Sequence, residues 1–187
     1  MPPTAPTRPA GAPTSYQHDL TSAAEGIVTL SAAGPATKFA LSVTLKGRYA
    51  VPAQKGLLSF LDSCLSNVSV ESFGSYAEVC KSPDFSKRLY HSSRLHATQV
   101  RHNNGSLVFS YDDRDGLVRK LCTVNAQSQS LKFGIAVFDV DYADFSNACA
   151  TQRGPFSTLQ GLRRVLDYFK TRSTNPASTK ECVDQAT

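Results

Sequence analysis

The stretch Phe133-Gly134-Ile135-Ala136-Val137-Phe138-Asp139-Val140-Asp141-Tyr142-Ala143-Asp144-Phe145 constrains this chain more than any other part of it. A nearly unbroken apolar run that ends in carboxylates has the pattern of a parallel strand buried on both faces. Parallel strands are joined by a crossover, so the run implies a βαβ unit. In α/β architectures, polar groups at the carboxyl end of such a strand collect where ligands sit.

The rest of the unit lies upstream. Lys38-Phe39-Ala40-Leu41-Ser42-Val43-Thr44-Leu45-Lys46 alternates large apolar side chains with small or hydroxyl ones, which is strand chemistry with one apolar face. Strands are therefore expected over 38–46 and 133–141. Residues 49–112 mix a short helical stretch, Leu57 to Cys64, with segments punctuated by Gly and Ser. Leu107-Val108-Phe109-Ser110-Tyr111 has strand character, and Arg94 to Arg101 is expected to pair with it across Asn103-Asn104-Gly105. A helix follows over 114–126, with Leu117, Val118, Leu121 and Cys122 as its stripe and an Asp115–Arg119 pair on its surface. Another is expected over 155–171, where Phe156, Leu159, Leu162, Val165, Leu166 and Phe169 recur at the spacing of a core-facing stripe. Residues 1–21, with five prolines by residue 17, read as a flexible leader. Its end overlaps a short helix expected over Leu20 to Ala32, capped by Thr21 or Ser22 and closed by Gly34-Pro35. Residues 173–187 read as a flexible polar tail. The fold class is α/β, with a subdomain inserted after the first strand.

Composition narrows the class. Apolar content of 41% and charged content of 19% belong to a globular chain. At 187 residues it supports one core but falls short of a complete (β/α)8 barrel, which takes about 250. A net charge of +5, dispersed among acids, gives little reason to expect nucleic-acid binding. The densest basic stretch, Lys87-Arg88 through His91, Arg94, His96, Arg101 and His102, has the charge to attract a sulfated glycan or an anionic surface, although a solvated hairpin face is the plainer reading. Five cysteines (Cys64, Cys80, Cys122, Cys149, Cys182) form no CxxC pair and suit no zinc site. Sequons at Asn67 and Asn104, together with the cysteines, point to a secreted glycoprotein. The first nine residues have no signal-peptide core and no segment reads as a membrane span, so the native start is expected upstream.

The strand run resembles the last barrel strand of family 18 glycoside hydrolases, the chitinases and chitinase-like proteins. There it reads roughly Gly-Val-Met-Val-Trp-Ser-Leu-Asp-Met-Asp-Asp-Phe and a Cys follows. Gly134, Val137, Asp141, Asp144, Phe145 and Cys149 match, while Phe138 replaces the Trp. Three further motifs stand in the family's order. Lys38-Phe39-Ala40-Leu41-Ser42 with Gly47-Arg48 is similar to the seventh strand, with Lys46 in place of a Tyr. Ser75-Tyr76-Ala77-Glu78-Val79-Cys80 resembles Ala-Tyr-Tyr-Glu-Ile-Cys, and Val108-Phe109-Ser110-Tyr111-Asp112-Asp113 resembles Trp-Val-Gly-Tyr-Asp-Asp. The resemblance covers roughly residues 22–172. It implies the C-terminal part of a (β/α)8 barrel: the last two strands and helices, with the family's small α+β subdomain between them. Relatives of this degenerate kind are familiar among secreted arthropod proteins, including those of ticks. A Cys80–Cys149 disulfide is implied as well; Cys64–Cys122 is then a guess that leaves Cys182 unpaired.

The family's catalytic acid sits in an Asp-x-x-Asp-x-Asp-x-Glu run, and these 187 residues contain none. Asp139 and Asp141, two apart on one strand, could approach as a carboxylate pair. The plainer reading has Asp141 hydrogen-bonding the strand end and Asp139 solvated. His18, His91, His96 and His102 make no ligand set, so neither a metal nor a cofactor is expected. The resemblance nominates Phe138, Asp141, Arg48 and Tyr111 as ligand-binding residues, Phe138 offering a smaller stacking surface than the family's Trp. Three functions compete: a secreted, non-hydrolytic chitinase-like module that binds chitin-type or other glycans or serves in protein interaction, the C-terminal piece of an active chitinase, and a stand-alone structural or interaction domain. Two parallel strands alone leave open edges, so a protein partner, the missing barrel or self-association is expected to cover them.

Overall fold

The computed structural model describes residues 20–34, 38–54, 56, 59–60, 62–65, 73–93, 95–127, 133–143, 145, 147–149, 153–171 and 179–187. The first helix, α1 (Leu20–Ala33), starts before Thr21 and Ser22, so neither residue is its N-cap. The leader assigned to 1–21 otherwise lies outside the described residues, as does Asn67.

Strand β1 (Phe39–Thr44) runs parallel to β7 (Phe133–Phe138), in register from Phe39 opposite Phe133 to Thr44 opposite Phe138. Because side chains alternate, one face carries Phe39, Leu41, Val43, Phe133, Ile135 and Val137, and this face is packed. Against it lie helices α3 (Arg114–Gln127) and α4 (Ser157–Thr171), whose Leu117, Val118, Leu121, Leu162 and Val165 complete the main core. The opposite face carries Ala40, Ser42, Thr44, Gly134, Ala136 and Phe138. Ala40, Ser42, Gly134 and Phe138 are exposed. The expectation of burial on both faces is thus corrected, because among the described residues the parallel sheet has only two strands and helices cover one side of it.

Between β1 and α3 lies the inserted subdomain, a five-stranded antiparallel sheet. Its strands are β2 (Gly47–Ala50), β3 (Phe73–Gly74), β4 (Tyr90–Ser92), β5 (Ala97–Arg101) and β6 (Val108–Tyr111), in the order β3-β2-β6-β5-β4. The expected hairpin forms between β5 and β6, with Gly105 at φ 73° in its turn. Helix α2 (Tyr76–Lys81) is fixed by a capping box in which Ser75 and Glu78 exchange hydrogen bonds. It packs Tyr76 and Val79 on Val100, Phe109 and Tyr111. The buried pair Lys120–Asp112, at 2.5 Å, ties α3 to the end of β6.

Five expectations are corrected. The helix expected over Leu57 to Cys64 begins on residues outside the described ones, and no described residue from Ser59 to Cys64 is helical: Pro52 bridges Cys64 antiparallel, and Gly56 turns the chain at φ 95°. The strand expected to 141 ends at Phe138, because Asp139 takes left-handed φ and ψ of 55° and 43° and a 3-10 turn (Val140–Tyr142) follows. Phe156, at φ 61°, falls outside α4 and is 50% exposed rather than core. Asp115 pairs with Arg114 at 2.9 Å and Arg153 at 3.8 Å, not with Arg119. Finally, the tail is helical and packed from Thr179 on, residues 173–178 lying outside the described residues. Helix α5 (Thr179–Ala186) buries Cys182, Val183 and Ala186 against the main core, one face of a helix at i, i+1 and i+4.

That helix also settles the disulfides. Cys80 is bonded to Cys149 and Cys122 to Cys182. The guessed Cys64–Cys122 bridge is therefore corrected: Cys122 faces α5 in the helical core, whereas Cys64 is buried in the insertion beside Pro52 and joins neither bridge.

Candidate functional site

The carboxyl ends of β1 and β7 bring together groups that the sequence scatters. Leaving β7 at Asp139, the chain needs a left-handed residue, which aspartate tolerates better than most. That turn swings the Asp139 carboxylate across to the end of β1. There Thr44 Oγ1 donates to Asp139 Oδ2 at 2.5 Å, and Lys46 Nζ donates to Oδ1 at 3.3 Å. The Lys46 backbone N–H also donates to Thr44 Oγ1, at 3.4 Å. Lys46 and Asp139 are about a quarter exposed, 26% and 28%.

Two apolar rings flank this pair. Phe138, opposite Thr44 in the register, is 57% exposed. On the other side Phe73, 38% exposed, lies under the Lys46 ammonium with 4.3 Å from Nζ to the ring centroid. Arg48 pairs with Phe73 across β2 and β3 and sets its guanidinium 5.8 Å from the same ring. The result is an open platform in which an ion pair at the strand ends adjoins two solvent-exposed aromatic rings.

The electrostatics exclude one role for Asp139. The Thr44 hydrogen bond holds its carboxyl below the usual carboxylate range; desolvation opposes the shift and Lys46 supports it. A carboxyl held ionised has no proton to give at neutral pH, so Asp139 is not a general acid. Nor does it share a strand face with Asp141, which lies exposed on the 3-10 turn. The plainer reading is reversed: Asp139 closes the strand end and Asp141 is solvated.

Of the four nominated ligand residues, Arg48 shares the Phe73 ring with Lys46, Phe138 adjoins Asp139 in the chain and stands opposite Thr44, and Asp141 follows two residues after the contact with Lys46. Tyr111 is elsewhere. It is 5% exposed in the subdomain core, stacked on Tyr76 at 4.4 Å between centroids, and burial pushes its phenol pKa upward. Its neighbours open onto a separate groove at the start of α3. In that groove Thr98 Oγ1 donates to Asp113 Oδ2 at 2.5 Å, and the same hydroxyl meets His91 Nδ1 at 2.9 Å. A cavity of about 410 Å³ there is lined by His91, His96, Asp113, Asp115 and Arg119. Burial, with Arg119 and Lys120 nearby, lowers the His96 pKa. Among the described residues no three His, Cys, Asp or Glu side chains are placed to hold a metal ion.

Sequence reasoning missed Thr44, Lys46 and Phe73 as site members. Lys46 was visible only as a departure from a familiar pattern, and Phe73 reaches the site through a two-residue strand that no periodicity reveals.

No family model matches the sequence, and no curated protein matches it. Solved structures do match. A group IV chitinase from Ostrinia furnacalis, in complex with allosamidin, superposes with a TM-score of 0.60 at 15% identity, over 85% of this chain and 45% of the chitinase. Human YKL-39, described as a pseudo-chitinase with retained chitooligosaccharide binding, gives 0.58 at 16% identity, over 77% of this chain and 40% of that one. A family GH18 chitinase from Cycas revoluta gives 0.52 at 16%, over 75% and 40%. The class defined is therefore a fold: mixed α/β, shared with part of the family 18 chitinases and their chitinase-like relatives. The chain spans less than half the length of these proteins. Among the described residues no helix is long and apolar enough to cross a membrane.

Proposed function

We propose that this chain is part of a secreted, chitinase-like protein that binds glycans without hydrolysing them, at the carboxyl ends of β1 and β7. The observation that carries the reading is the exposed Phe138 beside the Thr44–Asp139–Lys46 network. A pyranose offers an apolar C–H face and a rim of hydroxyls; exposed rings accept the first, and charged groups hydrogen-bond the second. The ionised Asp139 suits binding and not proton transfer. One structural neighbour is itself described as a pseudo-chitinase that keeps chitooligosaccharide binding. On this reading Asn67 and Asn104 carry N-linked glycans. Asn104 sits exposed at the β5–β6 turn, its Oδ1 accepting from the Ser106 N–H at 2.9 Å.

Calorimetric titration with chitotetraose tests the reading. Binding without release of shorter oligomers is expected, and Phe138→Ala should weaken it by about tenfold while Leu30→Ala, an exposed change on α1, leaves it unaltered. Equal affinity for the two variants refutes the platform. A second reading, the C-terminal segment of an active chitinase acting on N-acetylglucosamine polymers, is favoured by the β1–β7 sheet having two strands, and so two unpaired edges, among the described residues. The intact mass of the native, deglycosylated protein decides between them: a mass well above 20.2 kDa with an Asp-x-x-Asp-x-Asp-x-Glu run upstream supports the second.

A further inference from the structure

The subdomain sheet carries a second polar cluster, distinct from the strand-end platform and unused by the reading above. Residues directly opposite in an antiparallel register share a face, so Ser110, Gln99 and Tyr90 form one row across three strands, and Arg48 of the strand-end platform stands at its far end on β2. Arg101, two residues beyond Gln99, lies on that same face. Its guanidinium sits 3.6 Å from the Tyr90 ring centroid, and that of Arg88 sits 5.0 Å from the same centroid.

Two observations make this more than a solvated hairpin. First, among the described residues neither Arg88 nor Arg101 forms an ion pair. Two like charges on one ring are at most about 9 Å apart, on the order of the Debye length in physiological saline, and repel unless an anion joins them. Neighbouring Lys87 adds a third positive charge, its ammonium donating to the Cys80 and Ser82 carbonyls at 2.7 and 3.2 Å. Second, the row contains buried polar groups without partners. Arg101 Nε donates to Gln99 Oε1 at 3.3 Å, which fixes the amide and leaves Gln99 Nε2 with no acceptor at 0% exposure. Across the register Ser110 Oγ, 2% exposed, also has no partner. Gln99 thus backs the Arg101 guanidinium from within the sheet, and two guanidiniums without carboxylate partners on the Tyr90 ring mark a place for an oxyanion.

We propose that Arg88, Tyr90 and Arg101, backed by Gln99, bind the sulfate group of a sulfated glycan. A carboxylate is satisfied by one bidentate guanidinium, whereas two forks held on one ring suit a group with three terminal oxygens. The two disulfides fit an oxidising compartment, where sulfated polysaccharides are the polyanions at hand. The part of the half-buried Tyr90 ring that reaches solvent adds a surface for the sugar. This inference stands independently of the strand-end platform.

The full chain should be titrated calorimetrically with a heparin-derived octasaccharide in about 150 mM NaCl, with its desulfated counterpart and with inorganic sulfate. Arg88→Gln and Arg101→Gln are each expected to weaken binding about tenfold, and Lys180→Gln, an equal loss of charge on α5, less than twofold. Arg101→Lys keeps the charge but loses the fork, so it should fall with Arg101→Gln. Because Arg88 is exposed, Arg88→Gln carries the test even if Arg101 variants misfold. The proposal is overturned by absent binding, by equal affinity for the desulfated sugar, by Arg88→Gln matching Lys180→Gln, or by inorganic sulfate binding as tightly as the octasaccharide. Chitotetraose titrations of the same variants separate this site from the platform, since only Phe138→Ala should alter those.

Discussion

Gly47 stands between Lys46 and Arg48, and a methyl group added there tests how the subdomain holds both. A Cβ on Gly47 would lie 2.1 Å from Phe109 Cζ and 2.6 and 2.7 Å from Cε2 and Cε1, so the ring edge sits squarely over the glycine. Phe109 is 0% exposed, with Tyr49 and Tyr111 at 4.9 and 5.7 Å from its centroid, and has little room to withdraw. Without that ring, Gly→Ala would stabilise by about 0.4–1 kcal/mol through the unfolded chain. Overpacking a filled core costs about 1–3 kcal/mol and has the opposite sign, so the clash wins and Gly47→Ala destabilises. In urea unfolding followed by circular dichroism, about 2 kcal/mol moves the midpoint by roughly 1 M for a slope of about 2 kcal/mol/M. Gly74→Ala is the control: its nearest contact is 2.8 Å, but to the edge of the half-exposed Tyr49 ring, which has room to tilt, so the loss should be smaller. Phe109→Ala alone costs about 3–5 kcal/mol. Combined with Gly47→Ala it should cost less than the sum by about 1–3 kcal/mol, because the methyl then occupies the cavity. Strict additivity, or Gly74→Ala falling below Gly47→Ala in stability, refutes the packing argument.

Loss of the Cys122–Cys182 bridge in a double Ser variant should cost about 4 kcal/mol in the chain-entropy model for a separation of 60 residues, read as a lower urea midpoint. The same experiment on Cys80 and Cys149, 69 residues apart, should give a similar loss, and a negligible effect in either would contradict the connectivity. The Asp139 carboxyl, followed by carbon-13 NMR, should titrate below 3.8, and Thr44→Val should return its midpoint toward that value. Since its folded pKa is depressed, the stability it contributes is present above the ordinary carboxylate pKa and is lost as pH falls through the lower midpoint; a midpoint above 3.8 removes the network.

What the sequence revealed follows a physical division. The β1 and β7 strands, the β5–β6 hairpin and helices α3 and α4 are written in local periodicity and turn chemistry, and all were legible. Helix α5 was not, because eight residues with three buried positions resemble a polar tail until Cys182 meets Cys122. The second face of β7 was misread for a related reason: apolar composition reports what a strand can bury, not whether a layer exists to cover it. The site was legible only in its outline. Phe138 and Arg48 stood out as residues, but the Asp139 contact with Thr44 and Lys46 depends on one left-handed backbone step, which reverses the roles expected of Asp139 and Asp141. Strand alternation alone turns Phe138 to the face that no described helix covers, and the left-handed step at Asp139 then sets an ion pair beside that outward-facing ring.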